Sequence, residues 1–199
     1  DFLGGALQLD PVPGRQRGSG MPGLIAGDLD YAREQASTNL RVLSNAVRDG
    51  YTIVCSEPTA VLMLRHEYIK LTDNLDAGLV AANTMDVGQY LAGLADRGLF
   101  PSPTMPLHAK VGYHQPCHLR ALDIGTPGMD LIRQIPGLQV QMIDRGCSGM
   151  AGTFGLARKN FRTSLRAGRG LHRRLREDDI EIGSTECGSC RMQMEQGIP

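Results

Sequence analysis

The sequence lacks the features of nucleic-acid-binding, secreted and membrane-spanning proteins. It has no Trp, and its 21 Lys and Arg residues equal its 21 Asp and Glu residues, so it lacks the basic excess of a nucleic-acid-binding domain. No stretch approaches the ~20 consecutive apolar residues of a membrane-spanning helix. Residues 1–5 show neither an initiating Met nor the basic start of a signal peptide. We therefore expect a cytoplasmic piece of a larger protein, with no nucleic-acid partner.

Cysteine is also scarce, at five of 199 residues, which is far below the density of a disulfide scaffold. In a reducing compartment, clustered cysteines are metal ligands or catalytic thiols more often than disulfides. Four of the five lie in the second half of the chain: Cys117, Cys147, Cys187 and Cys190. The fifth, Cys55, ends a short β-branched and aromatic stretch and is predicted to be a core cysteine.

The hydrophobic pattern alternates between helical and extended stretches along the whole chain. Helical spacing predicts helices over residues 28–50, 60–68, 84–98, 126–135 and 154–176. Residues 51–55 form a β-branched and aromatic run that predicts a strand, and further strands are predicted over residues 109–114, 138–143 and 179–182. This alternation favours an α/β fold with mostly parallel sheets. The proline-rich stretch 100–106 is the predicted linker, which divides the chain into units 1–103 and 104–199.

An internal repeat appears when the sequence is shifted by 129 residues. The shift places Ser19-Gly20-Met21 on Ser148-Gly149-Met150, Ile53 on Ile182 and Glu57 on Glu186. It places Gly18, Pro58 and Val61 on Cys147, Cys187 and Cys190, so the first copy has none of these cysteines. The counterpart of Cys117 would precede residue 1. We therefore expect two tandem Rossmann-like units, the first degenerate and truncated at its N-terminus.

The four cysteines of the second unit form the candidate metal site. Each follows a predicted strand, and open α/β sheets place their ligands at the carboxyl ends of strands. Four thiolates suit a tetrahedral Zn²⁺ ion and a cubane iron–sulfur cluster equally well in ligand number. Four inert core cysteines are one alternative. A redox-active dithiol of Cys187 and Cys190 is another, but it leaves Cys117 and Cys147 unexplained.

The residues around the cysteines add to this interpretation. Gly149 and Gly152 lie in a glycine-rich loop after Cys147, where a backbone without side chains can approach a cofactor and turn N–H groups toward it. The loop is not a GxGxxG motif, so nucleotide binding is not predicted. His114 and His118 flank Cys117 and are candidates for hydrogen bonds to a cluster, or for substituting as ligands.

The motifs Tyr113-His114-Gln115-Pro116-Cys117, Gly146-Cys147-Ser148-Gly149 and Glu186-Cys187-Gly188-Ser189-Cys190 resemble those of the cysteine-rich domain family named for its Cys-Cys-Gly motif. The family includes the B subunit of heterodisulfide reductase and the iron–sulfur subunits of glycolate oxidase, lactate oxidation systems and anaerobic glycerol-3-phosphate dehydrogenase. Residues 108–197 resemble one nearly complete copy of the motif, and residues 18–68 resemble the rear part of a preceding copy.

The resemblance implies that Cys117, Cys147, Cys187 and Cys190 bind a [4Fe–4S] cluster. The chain would then be the electron-transfer part of an oxidoreductase, and would not itself perform substrate chemistry. Its implied partners are an FAD-containing dehydrogenase acting on a hydroxy acid or glycerol 3-phosphate, and a membrane anchor or quinone at the inner face of the membrane. The alternative is a zinc-stabilised structural or docking module without redox activity.

One residue departs from the family pattern. Ser148 stands where the family has the second adjacent Cys. Only four thiolates remain, which disfavours the five-cysteine noncubane cluster of heterodisulfide reductase. We expect the Ser148 hydroxyl to hydrogen-bond within its own loop.

The predicted helix 154–176 carries a run of arginines and one histidine. Five of the arginines follow three- and four-residue steps and share a face of that helix: Arg158, Arg162, Arg166, Arg169 and Arg173. The pattern is typical of a solvated helix face, and it leaves open the docking of an acidic partner or an anionic membrane. His172 has no companion of ligand type in the sequence, so it is predicted to be a surface residue or a satisfied core residue.

Overall fold

The computed structural model describes residues 16–198, which divide into two compact units. The first unit consists of residues 16–56 and 60–102, and the second of residues 57–59 and 103–198. The short segment Glu57–Thr59 therefore packs with the second unit, although it lies in the first half of the chain. The interpretation of the two units as copies of one ancestor stays a prediction.

The first unit is mostly helical, with a two-stranded parallel sheet. Its elements are α1 (Met21–Ala26), α2 (Leu29–Arg48), β1 (Ile53–Cys55), α3 (Pro58–Leu62), a π-helical turn (Met63–Glu67), α4 (Tyr68–Leu71), α5 (Asp76–Ala82), β2 (Thr84–Asp86) and α6 (Val87–Asp96). Asp28 caps α2 by accepting a hydrogen bond from the Tyr31 N–H at 3.0 Å, as the sequence predicts. Helix α2 packs on α4 and α5, and its Leu40 lies in one buried apolar cluster with Met63 and Tyr68.

The second unit is built around a three-stranded parallel sheet. Its elements are β3 (Ala109–Tyr113), α7 (Cys117–Ala121), α8 (Pro127–Ile132), β4 (Leu138–Met142), a 3₁₀ turn (Phe154–Leu156), α9 (Phe161–Ala167), α10 (Arg169–Leu175), β5 (Ile182–Ser184) and α11 (Gly188–Gly197). The strand order is β4-β3-β5, and Val111 on the central strand pairs with Val140 and Ile182. Because the strands are parallel, their three carboxyl ends lie at one edge.

The helices and small parallel sheets agree with the predicted α/β class, whereas the Rossmann-like arrangement of two tandem units stays a prediction. Two predicted helices are wrong in their bounds. Residues 84–86 form β2, paired with β1, and the helix begins only at Val87. The long helix 154–176 is broken into the 3₁₀ turn, α9 and α10. The last break is at Gly168 (φ −79°, ψ −2°), where a Cβ atom would lie 2.0 Å from the Ser148 carbonyl oxygen.

Elements recur at the 129-residue shift found in the sequence. Strand β1 begins at Ile53 and β5 at Ile182, and both have three residues. Gly20 and Gly149 both have positive φ, 85° and 96°. A Cβ on either glycine would approach a helix backbone, at Ala32 in the first unit and Ser164 in the second. A duplicated unit would produce this recurrence.

Candidate metal centre

Three loops at the carboxyl edge of the second sheet carry the four cysteines. Cys117 is the first residue of α7 after β3, Cys147 lies in the loop after β4, and Cys187 and Cys190 open α11 after β5. Two hydrogen bonds join the strands at their carboxyl ends. The Ile143 N–H donates to the Tyr113 carbonyl and the His114 N–H to the Ser184 carbonyl, both at 2.8 Å. The central strand therefore delivers Cys117 between the loops of the other two.

The four thiols differ in burial. Cys187 and Cys190 are buried, at 7% and 6% exposure, whereas Cys117 and Cys147 are exposed. The interaction between the two neighbouring thiols lowers the pKa of Cys187 and, together with burial, raises that of Cys190. Burial raises the pKa of Cys117, and the charges of Cys147 and Cys187 raise it further. Cys117 therefore lies within electrostatic range of the other three cysteines.

Two hydrogen-bond donors of the glycine-rich loop point at these sulfurs. The Gly149 N–H donates to Cys147 Sγ at 3.2 Å, which agrees with the expectation of backbone donors in this loop. The Ser148 hydroxyl donates to Cys190 Sγ at 3.2 Å, and Ser148 is 1% exposed. The expectation that Ser148 bonds within its own loop is therefore wrong. The buried Cys190 sulfur is the acceptor within reach of its hydroxyl.

The glycines of the loop have a structural reason as well. A Cβ on Gly149 would lie 2.0 Å from the Ser164 carbonyl of α9, so the close packing of loop on helix requires glycine there. Gly152 has a φ of 64°, which also favours glycine. Contact of Gly149 and Gly152 with a cofactor stays a prediction.

The four cysteines suit a four-thiolate metal centre chemically, but their side chains are not arranged as one. In residues 16–198, no group of three or more His, Cys, Asp or Glu side chains is placed where it could hold a metal ion. A four-thiolate centre would combine the exposed Cys117 and Cys147 with the buried Cys187 and Cys190. Cys55 belongs to β1 of the first unit, where burial and the Asp86 charge raise its pKa to about 11.

Sequence reasoning missed the contacts of Glu57 and Thr59 with this site. The Glu57 Oε2 atom accepts a hydrogen bond from the Gly188 N–H at 2.9 Å, and Thr59 Oγ1 lies 2.8 Å from His118 Nδ1. Both partners immediately follow a candidate cysteine ligand. The one sequence signal was the alignment of Glu57 with Glu186 in the 129-residue repeat, which does not indicate a contact.

Two histidines are buried in the second unit. His114 is 3% exposed, and burial, with the Arg120 and His172 charges, lowers its pKa to about 4. His172 is 4% exposed, and among the described residues its Nε2 atom has no hydrogen-bond partner. The expectation that His172 is a surface residue or a satisfied core residue is wrong. Burial lowers the pKa of His172 as well, so it favours the neutral form of both rings.

A basic groove of about 440 Å³ lies next to the cysteine loop. Its lining includes Arg145, Arg166, Arg169 and Arg173, and none of the four has a carboxylate within ion-pair distance among the described residues. Arg145 precedes Cys147 by two residues, so their Cα atoms are at most about 7 Å apart. Arg158 lies outside the helices and does not share the predicted face.

Within the described part of the chain, no helix is both long enough and apolar enough to span a membrane.

Comparison with known proteins gives matches to one family and to subunits of redox enzymes. The model of the cysteine-rich domain family (CCG) matches residues 111–195. The C subunit of anaerobic glycerol-3-phosphate dehydrogenase of Escherichia coli K12 is 32% identical over 182 residues, which is 91% of this chain and 46% of that protein. The B subunit of fumarate reductase (CoM/CoB) of Methanothermobacter marburgensis is 26% identical over 190 residues, which is 94% of this chain and 35% of that protein.

The chain thus spans less than half the length of these relatives. The family match covers β3 to α11, the part that carries all four candidate ligands. The predicted family resemblance is confirmed: residues 111–195 match the model of the CCG cysteine-rich domain, and the chain is homologous to subunits of a glycerol-3-phosphate dehydrogenase and a fumarate reductase.

Proposed function

We propose that this chain is part of an electron-transfer subunit and holds one [4Fe–4S] cluster through Cys117, Cys147, Cys187 and Cys190. The observation that carries the proposal is the delivery of four thiols by three loops to one sheet edge, with donors aimed at two of the sulfurs. Homology to subunits of two redox enzymes supports iron–sulfur over zinc, because ligand number suits both.

The protein's residues would have distinct tasks at such a centre. The buried Cys187 and Cys190 would anchor it, and the exposed Cys117 and Cys147 would close over it. The Gly149 N–H and the Ser148 O–H would stabilise negative charge on the sulfurs. When bound, the cluster supplies one-electron redox chemistry, and the peptide supplies ligands, donors and partial burial.

The proposed partners are an FAD-containing dehydrogenase, acting on glycerol 3-phosphate or a hydroxy acid, and a quinone or membrane anchor that places the chain peripherally at the inner membrane face. The name of the relative from E. coli supports the first, since that protein is a subunit of a glycerol-3-phosphate dehydrogenase. The groove of Arg145, Arg166, Arg169 and Arg173 supports docking of an acidic face beside Cys147.

The two units are proposed to be tandem Rossmann-like copies, of which only the second holds a centre. The shared 129-residue spacing of β1 and β5, and of Gly20 and Gly149, supports this. In the first copy, the side chains of Asn39 and Tyr68 donate hydrogen bonds to backbone carbonyls of residues 17–19. Their counterparts by the same shift are Gly168 and Gly197.

The proposal is tested on the chain purified without oxygen. We expect a brown protein with absorbance near 400 nm, and with about four iron and four sulfide per chain. A colourless protein with one tightly held Zn²⁺ would falsify the electron-transfer role and leave a zinc-stabilised module.

Two cysteine variants test the ligand assignment. Cys187→Ser should abolish the absorbance and the bound iron, because it removes a buried ligand. Cys55→Ser is the matched control and should retain both, because Cys55 lies in the first unit and its pKa of about 11 keeps it a thiol. Loss of iron in both variants would show that Cys55 belongs to the ligand set.

A further inference from the structure

The segment Glu57–Thr59 joins two of the three cysteine loops. Glu57 bonds to the start of α11, which carries Cys187 and Cys190, and Thr59 bonds to His118 at the start of α7, next to Cys117. The Thr59 hydroxyl lies 3.3 Å from Glu57 Oε1. With the His118 proton on Nδ1, the ring donates to Thr59 Oγ1 and the Thr59 hydroxyl donates to Glu57 Oε1. The Gly188 N–H donates to the other carboxylate oxygen of Glu57.

We propose that Glu57 is a positioning residue of the four-cysteine site, which caps α11 and holds a fixed negative charge beside Cys187. This inference rests on the proposed function for its redox readout. Helix α11 has ten residues, and its N-cap residue Cys187 makes no side-chain capping bond of its own. The Glu57 carboxylate supplies that acceptor from 131 residues away.

The charge of Glu57 has a role separate from capping. A neutral acceptor would satisfy the Gly188 N–H equally well, yet here the acceptor is a carboxylate, and Gly188 is the residue directly after Cys187. A negative charge beside a redox centre opposes the addition of an electron, because the reduced centre is more negative than the oxidised one. Glu57 therefore fixes the geometry of the Cys187–Cys190 segment and lowers the reduction potential of the centre.

Two variants of Glu57, made in the full chain, separate these effects. Glu57→Gln keeps an oxygen acceptor for the Gly188 N–H and removes the charge. It should keep its iron, and its reduction equilibrium should shift at least tenfold toward the reduced form, which is 59 mV for one electron. Glu57→Ala also removes the acceptor and should lose metal to a chelator at least tenfold faster. Glu195→Gln is the control, because it removes the same charge from an exposed site on α11.

The measurements are a redox titration followed by electron paramagnetic resonance, and the rate of iron release to a chelator. If Glu57→Gln keeps its cluster and has the potential of Glu195→Gln, the charge has no role and the inference is overturned. If the protein holds no cluster, the proposed function fails, and Glu57 is then judged by titration with cobalt(II) alone. Tenfold weaker cobalt binding by Glu57→Ala supports the positioning role, and equal binding overturns it.

Discussion

Ser148 and Glu57 both contact the buried cysteine pair, and they act on it with opposite electrostatic sign. The Ser148 hydroxyl donates to Cys190 Sγ and favours added negative charge on sulfur. The Glu57 carboxylate beside Cys187 disfavours it. If the proposed cluster binds here, single substitutions of these two side chains would move its reduction potential in opposite directions.

Ser148→Ala should therefore lower the reduction potential. The substitution removes one hydrogen bond to sulfur, and a loss of about 1 kcal/mol from the reduced state corresponds to about 40 mV for one electron. The measurement is a redox titration followed by electron paramagnetic resonance.

Ser189→Ala is the matched control for Ser148→Ala. Ser189 lies between Cys187 and Cys190, and its hydroxyl makes no hydrogen bond to sulfur within the described residues. An equal drop in both variants would show that the Ser148 bond has no specific effect.

The sequence could predict the cysteines of the site but not the side chains that support them. Each cysteine follows a strand that the local sequence predicts, and parallel strands bring their carboxyl ends to one edge. The contacts of Ser148 and Glu57 join residues 42 and 131 positions apart, respectively. No local pattern encodes them, so only the tertiary fold makes them visible.

At the scale of elements, the loop after β4 is held by its packing against α9. The loop has two glycines with similar φ angles, 81° at Gly146 and 96° at Gly149. A Cβ on Gly146 would meet nothing within 4 Å, whereas one on Gly149 would lie 2.0 Å from the Ser164 carbonyl. Substitutions at these two positions therefore distinguish the energetic cost of backbone strain from the cost of a clash with α9.

Gly146→Ala should cost about 1–2 kcal/mol of unfolding free energy, because only the positive φ is strained. Gly149→Ala should cost roughly 1–3 kcal/mol more, since the loop must also move off α9. Urea unfolding of both variants measures the difference, and bound iron should fall only in Gly149→Ala. Equal costs would mean that the loop is not packed on α9 as described.

Element prediction succeeded where the signal was local. Strands β3 and β4 lie within one residue of their predicted ends, because short extended stretches bounded by turn residues are local patterns. Strand β2 was missed because its three residues continue a helical pattern in the sequence. Only their pairing with β1 holds them in an extended conformation. The break at Gly168 was missed because the Ser148 carbonyl that lies against it is distant in sequence.

At the scale of the whole molecule, buried neutral histidines couple stability to pH. Burial, helped by the Arg120 and His172 charges, lowers the His114 pKa to about 4 from about 6.5 in the unfolded chain. The unfolded chain therefore binds the proton more tightly. The stability that neutral His114 contributes is complete above pH 6.5 and is lost as the pH falls toward 4, by about 1.4 kcal/mol per pH unit.

His114→Gln should flatten this pH dependence, because the glutamine side chain takes up no proton on unfolding. Urea unfolding at pH 7 and pH 5, followed by circular dichroism, should show a loss for the natural chain that is about 2 kcal/mol larger than for the variant. His118 and His172 also have pKa values lowered by burial, and they remain in both proteins. Identical pH dependence in the two proteins would contradict a buried neutral His114.

The hydrogen bond from Gly188 to Glu57 also bears on the order of folding. It joins residues 131 positions apart, and contacts of such long range form late because closing a long loop costs entropy before the contact repays it. The loops that carry Cys117 and the Cys187–Cys190 pair therefore take their final places only after the segment Glu57–Thr59 has docked. Maturation of the proposed centre would then follow folding, and a chain stalled before this docking step would expose the Cys187 and Cys190 thiols, which the folded chain buries, to solvent oxidants.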